Sequence, residues 1–215
     1  MRQTRPMTTL IDISQVLHPA LPGWPGEPGF ALSACARISP DCPVNTAALS
    51  LSTHAGTHAD APLHYDPAGA DSAGSGLDAY VGRCVVLDVR GCGARVEPQD
   101  VAWGAVGKAS RVLFKTYDRF PHQAWDDAFT AIAAETIERL GALGVVLVGT
   151  DAASLDPQES KTMDAHHAVR RHAMRILEGL VLDDVAPGEY ELIALPLRIA
   201  GADASPVRAV LRTLG

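Results

Sequence analysis

The chain has 215 residues, 47% hydrophobic and 20% charged, a balance that suits one globular domain with a full core and argues against a disordered or fibrous chain. Asp and Glu outnumber Lys and Arg by 25 to 18, and with no basic cluster to offset the net charge of −7, nucleic acid and anionic membranes are not expected partners. No apolar run approaches the ~20 residues that cross a bilayer, and the opening MRQTRPMTTL lacks the apolar stretch of a signal peptide, so the expected setting is cytoplasmic.

Met7 is an alternative start, which makes residues 1–6 an upstream extension of a single domain over 1–215. Pro19–Gly29 (PALPGWPGEPG) reads as a loop, because Pro and Gly break both regular periodicities. Trp24 sits in it with Pro19, Pro22 and Pro25 fixing the backbone nearby. Leu49–Thr53 alternates like a strand with one buried face, and Pro67–Gly76 is a second loop. Strands are expected at Cys84–Val89, Val112–Thr116 and Leu192–Leu197, and a final one at Pro206–Leu211. Val145–Gly149 is a further strand, apolar enough to be covered on both faces. Helices are expected at Gln99–Lys108, Ala134–Leu143 and Ala165–Glu178, the last ending on Glu178 with Gly179 as its cap. Mixed strands and helices imply an α/β or α+β domain, with the strand order left open. Cys35, Cys42, Cys84 and Cys92 form no C-x-x-C pair and are expected to be reduced thiols.

The chemistry concentrates in His54-Ala-Gly-Thr-His58-Ala-Asp60-Ala-Pro-Leu-His64. Four potential ligands or proton carriers fall within eleven residues, at offsets of four, six and ten from the first. On an extended chain, even offsets share one face. On a helix they would point about 40°, 240° and 280° away from the first, and Gly56 and Pro62 also oppose a helix. The segment therefore reads as an extended edge running into a loop, with imidazoles and a carboxylate converging. Those are the ligand types that zinc and similar divalent ions prefer. Surface polar residues are the plain alternative, but burying so many together without a partner is costly. A second group lies at His166-His167, followed by Glu178 amid apolar residues. From residue type alone, Glu178 is either a ligand or a salt-bridged carboxylate.

The segment HAGTHADAPLHY resembles the H-x-G-T-H-x-D-x-P-x-H motif of the metal-dependent cyclase superfamily. Trp24-Pro-Gly, Ser154-Leu-Asp-Pro-Gln-Glu-Ser-Lys and Ile176-Leu-Glu-Gly-Leu-Val-Leu-Asp make bacterial kynurenine formamidases the closer match, over essentially the whole chain. The resemblance implies a compact α/β domain with a mixed, barrel-like β core flanked by helices (a cyclase-like swivelling β/β/α fold), assembled as a homodimer. It implies two divalent ions per subunit, with zinc the expected metal. His54, His58 and Asp60 would hold the first, with Asp60 bridging to the second. His166 would bind the second, and Glu178 would touch both. His64 is implied as the acid/base group and Trp24 as a substrate contact. His18, His122, His167 and His172 match no functional position. The implied reaction is N-formyl-L-kynurenine plus water giving L-kynurenine and formate, a step of tryptophan breakdown, with a metal-activated hydroxide as nucleophile. A related hydrolase of a cyclic amide such as isatin is the main alternative, because the metal chemistry is shared and the pocket decides. A non-catalytic metal-binding module is another, although retention of His64 speaks against it. A Ser- or Cys-based hydrolase lacks support: there is no G-x-S-x-G elbow and no cysteine within the His cluster.

Overall fold

The computed structural model describes residues 8–107 and 109–215. The proposed extension 1–6, the alternative start Met7, and Lys108 at the end of one expected helix lie outside them. In chain order the strands are β1 (Leu10–Asp12), β2 (Ala31–Ala36), β3 (Thr46–Ser50), β4 (His58–Asp60), β5 (Val81–Asp88), β6 (Arg95–Val96) and β7 (Arg111–Lys115). They continue with β8 (Ala131–Ile132), β9 (Leu147–Thr150), β10 (Arg175–Glu178), β11 (Gly188–Ile193), β12 (Ala204–Pro206) and β13 (Val210–Thr213). The helices are α1 (Trp103–Val106), α2 (Ala134–Ala142) and α3 (Asp164–Arg171).

Nine strands form one curled, half-barrel sheet in the order β1-β13-β11-β5-β7-β9-β10-β4-β12. The four central strands, β5, β7, β9 and β10, run parallel, and the flanks are antiparallel. Every residue of β7 and β9 is buried, as parallel strands covered on both faces require. One face packs Val85, Phe114, Val148 and Ile176 together with Ile137 and Leu140 of α2 and Val169 of α3. The other packs Val86, Leu113, Leu147 and Leu177 against Leu192 and Leu211. Successive residues thus go to opposite faces, the strand period that the runs predict. The mixed, barrel-like α/β architecture is as expected.

Several boundaries differ. Helix α3 stops at Arg171, and Arg175–Glu178 is strand β10. Ala173 takes φ 52 and turns the chain, so Glu178 ends a strand rather than a helix. The reason is visible in Ile176 and Leu177, which are adjacent yet feed the two different cores, something a sheet does and a helix face does not. Strand β3 ends at Ser50, before most of the expected 49–53 run, and is exposed along its whole length in a separate two-stranded ribbon with β2. The expected final strand 206–211 straddles the gap between β12 and β13. The 99–108 helix shrinks to a 3₁₀ turn at Pro98–Asp100 and the short α1. The four cysteines are unpaired.

Candidate metal centre and substrate cleft

The motif is only partly extended. His54 lies on a tight turn, His58–Asp60 form β4, and Pro62–His64 form a 3₁₀ turn that Pro62 starts. Strand β4 is not an edge: it sits between β10 and β12. Register then places the ligand types. His58 and Asp60 are two apart on β4 and share a face. Glu178 on β10 pairs directly with His58, so its side chain joins them on that face. The neighbouring Ile176 belongs to the α-helical core, so this is the face that α3 covers, and α3 delivers His166. Five of the expected residues, His54, His58, His64, His166 and Glu178, meet around a sixth, Asp60.

The distances are short. Asp60 Oδ1 lies 3.2 Å from His54 Nδ1 and 3.4 Å from His58 Nε2, and its Oδ2 lies 3.4 Å from His166 Nε2. Glu178 reaches His58 Nε2 at 3.4 Å and His166 Nε2 at 3.7 Å, and accepts a hydrogen bond from the Leu155 amide at 2.8 Å. Asp60 is 0% exposed, His166 1%, Glu178 3% and His58 4%, so this charge is removed from water.

Each of three imidazoles has its outer nitrogen facing an oxygen acceptor. His58 Nδ1 meets the Gly56 carbonyl at 3.0 Å, His166 Nδ1 meets Asp156 Oδ2 at 2.6 Å, and His54 Nε2 meets Asp203 Oδ2 at 3.1 Å. A carbonyl cannot donate, so His58 gives its proton outward and turns a lone pair inward. The inner atoms His58 Nε2, His166 Nε2 and both oxygens of Asp60 are buried without hydrogen-bond partners. Lone pairs facing lone pairs in a dry site call for a cation. Outer oxygen acceptors with inner bare nitrogens are also how metal-bound histidines are oriented. These residues fit a divalent ion. Two groups of ligand atoms, His54/Asp60/His64 and His58/Asp60/Glu178, each lie within 4.8 Å and share Asp60. Without an ion, protons fill the role. Burial pushes His58 and His166 down, but Asp60 with Glu178, and Asp156 with Asp60, outweigh it and raise each to about 10. Burial likewise opposes charge on Asp60, yet the three imidazoles hold it well below the usual carboxylate range.

His64 is the least buried of the group, its side chain 28% exposed, and its ring lies 4.3 Å from that of His54. It opens onto a cleft of about 300 Å³ with His54, His58 and Glu178 among its lining and Trp24, Phe120 and Trp125 along its wall. Trp24 stands edge-on to Trp125 at 5.4 Å and 73°, and 6.4 Å from Phe129. Trp125 is itself fixed by donating to Gln158 Oε1 at 2.6 Å. Sequence reasoning assigned no role to Asp156, Asp203, Phe120 or Trp125. Asp156 lies inside the Ser154–Lys161 segment that carried the resemblance; Asp203 has no local pattern around it and joins the site only through β12, which pairs with β4.

Comparison with known proteins gives a consistent picture. The Cyclase family model matches residues 11–157. Kynurenine formamidase of Sphingopyxis alaskensis is 61% identical over 97% of this chain and 100% of its own. That of Maricaulis maris is 60% identical over the same shares. Among solved structures, a potential metal-dependent hydrolase with cyclase activity aligns at TM-score 0.85 and 26% identity, covering 97% of this chain and 100% of that one. Isatin hydrolase A of Ralstonia solanacearum shares the fold at TM-score 0.82 and 21% identity, covering 96% of this chain and 92% of its own.

Proposed function

The chain belongs to the cyclase family, and from that premise we propose that it hydrolyses N-formyl-L-kynurenine to L-kynurenine and formate. It is on this reading an arylformamidase, a metal-dependent enzyme acting on an amide C–N bond. Full-length likeness to two kynurenine formamidases supports the substrate, while the isatin hydrolase likeness extends to the fold alone. The observation that carries the chemistry is the set of inward, unpartnered nitrogens and oxygens around Asp60.

The proposal includes two divalent ions per chain, with zinc the expected species. His54, His58 and Asp60 would hold one and His166 the other, with Asp60 bridging and Glu178 touching both; the presence of Asp60 in both ligand groups supports a shared carboxylate. When bound, such ions make water more acidic and polarise a carbonyl oxygen. The chain's own side chains do the rest. Trp24 and the neighbouring Trp125 offer the aryl ring a wall to pack on, placing the formyl group over the His cluster. His64, at the open side, takes a proton as water adds to the formyl carbon. It returns that proton to the anilide nitrogen as the C–N bond breaks, so a neutral amine and formic acid leave, and the acid gives up its proton to solvent as formate. His64 also lies within ligand distance of His54 and Asp60, and metal retention by a His64 variant separates the two roles.

We place residues 1–215 in one domain that works as a homodimer in the cytoplasm. The exposed β2–β3 ribbon, with Leu32 60% and Leu49 62% exposed, supports a partner, since a lone two-stranded ribbon is marginal in water. Sedimentation at a single-chain mass would refute the dimer. Unpaired cysteines support a reducing compartment, and no described helix is long and apolar enough to cross a membrane. The activity test is direct: purified protein should release formate and kynurenine from N-formylkynurenine, lose the activity with its metal, and regain it with zinc. Full activity in the metal-stripped protein would refute the mechanism.

A further inference from the structure

Asp203 lies 139 residues beyond His64 in the chain, yet its carboxylate ties together two imidazoles of the motif. Its Oδ2 is 3.1 Å from His54 Nε2 and 3.4 Å from His64 Nδ1, and its Oδ1 accepts from Thr53 Oγ1 at 2.8 Å. The longer contact is of the kind that tightens when a substrate closes the site. The loop beneath is pinned. Ala61 N donates to Asp203 O at 2.8 Å, Ser72 N to Ala202 O at 2.9 Å, and Gly201 N to Asp71 Oδ2 at 2.6 Å. Asp203 thus arrives with its direction already set by the strand that pairs with β4.

A neutral imidazole carries its proton on one of two nitrogens, and an oxygen acceptor decides which. His54 has Asp60 3.2 Å from Nδ1 and Asp203 3.1 Å from Nε2, so once Nδ1 serves an ion its proton stays on Nε2, held by Asp203. Facing the same oxygen through its other nitrogen, His64 keeps its proton on Nδ1 and leaves Nε2 bare. The two rings need these opposite states if one is to hold an ion and the other is to accept a proton.

We propose that Asp203 is a positioning residue that imposes opposite tautomers on His54 and His64, preparing a metal ligand and the proton carrier with one carboxylate. The assignment of those two roles rests on the proposed function; the tautomers themselves do not depend on the substrate. Its partner contacts resemble those that orient metal-bound histidines, whose loss lowers metal affinity or activity by about 10–100-fold.

The test uses the full-length, zinc-loaded protein and ¹⁵N spectra of its imidazoles. Wild type should carry protons on His54 Nε2 and His64 Nδ1. Asp203→Asn, which keeps the size of the side chain, should lose the His64 preference and weaken zinc binding by about 10–100-fold in competition with a chelating dye. At saturating zinc its kcat should fall about 10–100-fold with KM nearly unchanged, and Asp203→Glu should recover part of the loss. In a His64→Ala background at saturating zinc the same change should cost little more in kcat, because the effect through His54 is read in zinc affinity and the effect on turnover runs through His64. Unchanged His64 tautomer in Asp203→Asn, or a full multiplicative loss on top of His64→Ala, overturns the proposal. A wild type inactive on N-formylkynurenine overturns the substrate reading instead, and the spectra still decide the role of Asp203.

Discussion

His64→Ala separates a proton carrier from a ligand. The variant should keep its metal and lose about 10²–10⁴-fold in rate, the usual contribution of general acid–base catalysis. A metal-free variant makes His64 a ligand. Trp24→Ala should raise KM for N-formylkynurenine several-fold, since aromatic contact contributes about 0.5–1.5 kcal/mol beyond area, while metal content stays the same. An aliphatic formamide should barely notice the change; equal losses on both substrates would make Trp24 a loop anchor, a role its contacts with Trp125 and Phe129 also allow. Protons give a third readout. With no ion bound, burial is outweighed by the carboxylates and His58 and His166 are raised to about 10. Bound metal displaces those protons, so at neutral pH binding should release up to two per chain and tighten as pH rises. Both groups are raised above their ordinary value of 6.5, so their contribution to the metal-free fold is complete below about 6.5 and lost toward 10. The Tm of metal-free protein should therefore fall between those pH values, and that of zinc-loaded protein should not track it. Calorimetric titration in two buffers of different ionisation heat counts the protons; a count of zero contradicts the charge state described.

Strand β10 reaches the site and stops at Gly179, whose φ of +62 is left-handed. A Cβ there would lie 2.7 Å from the Gly56 carbonyl oxygen, which cannot retreat without moving the acceptor that orients His58. Gly179→Ala should cost at least about 1–2 kcal/mol from conformation alone and should also weaken zinc binding. Denaturant unfolding and metal analysis check both, and a variant with wild-type zinc affinity would show that the Gly56–Gly179 contact does not shape the centre. The same elements show what was legible. β5, β7 and β9 carry unbroken apolar runs, and α2 carries helical spacing, so they declared themselves locally. Arg175–Glu178 did not: its residues fit a helical spacing as well as a strand, and only pairing with β9 and β4 decides. β3 alternates like a half-buried strand yet is exposed along its whole length in its ribbon with β2. The motif's residues were legible by type and spacing, and the mutual arrangement was not. Asp60 meets His166 because of strand register and α3, and Asp203 enters through β12.

Across the whole molecule, the parallel centre of the sheet is a rigid, doubly buried platform, and the site lies where its last strand meets antiparallel β4 and β12. That placement gives a fixed cluster of candidate ligands under a cleft whose walls come from loops, Pro22–Trp24 on one side and Phe120–Asp126 on another. Chemistry and selectivity are therefore built from different parts of the chain, and relatives sharing the fold can differ in substrate. The measurement that bears most directly on this protein is kcat/KM of the zinc-loaded enzyme for N-formyl-L-kynurenine and for isatin, followed side by side by absorbance. N-formyl-L-kynurenine should be hydrolysed with clearly the higher kcat/KM, and both activities should vanish when the metal is removed. Faster opening of isatin would contradict the assignment.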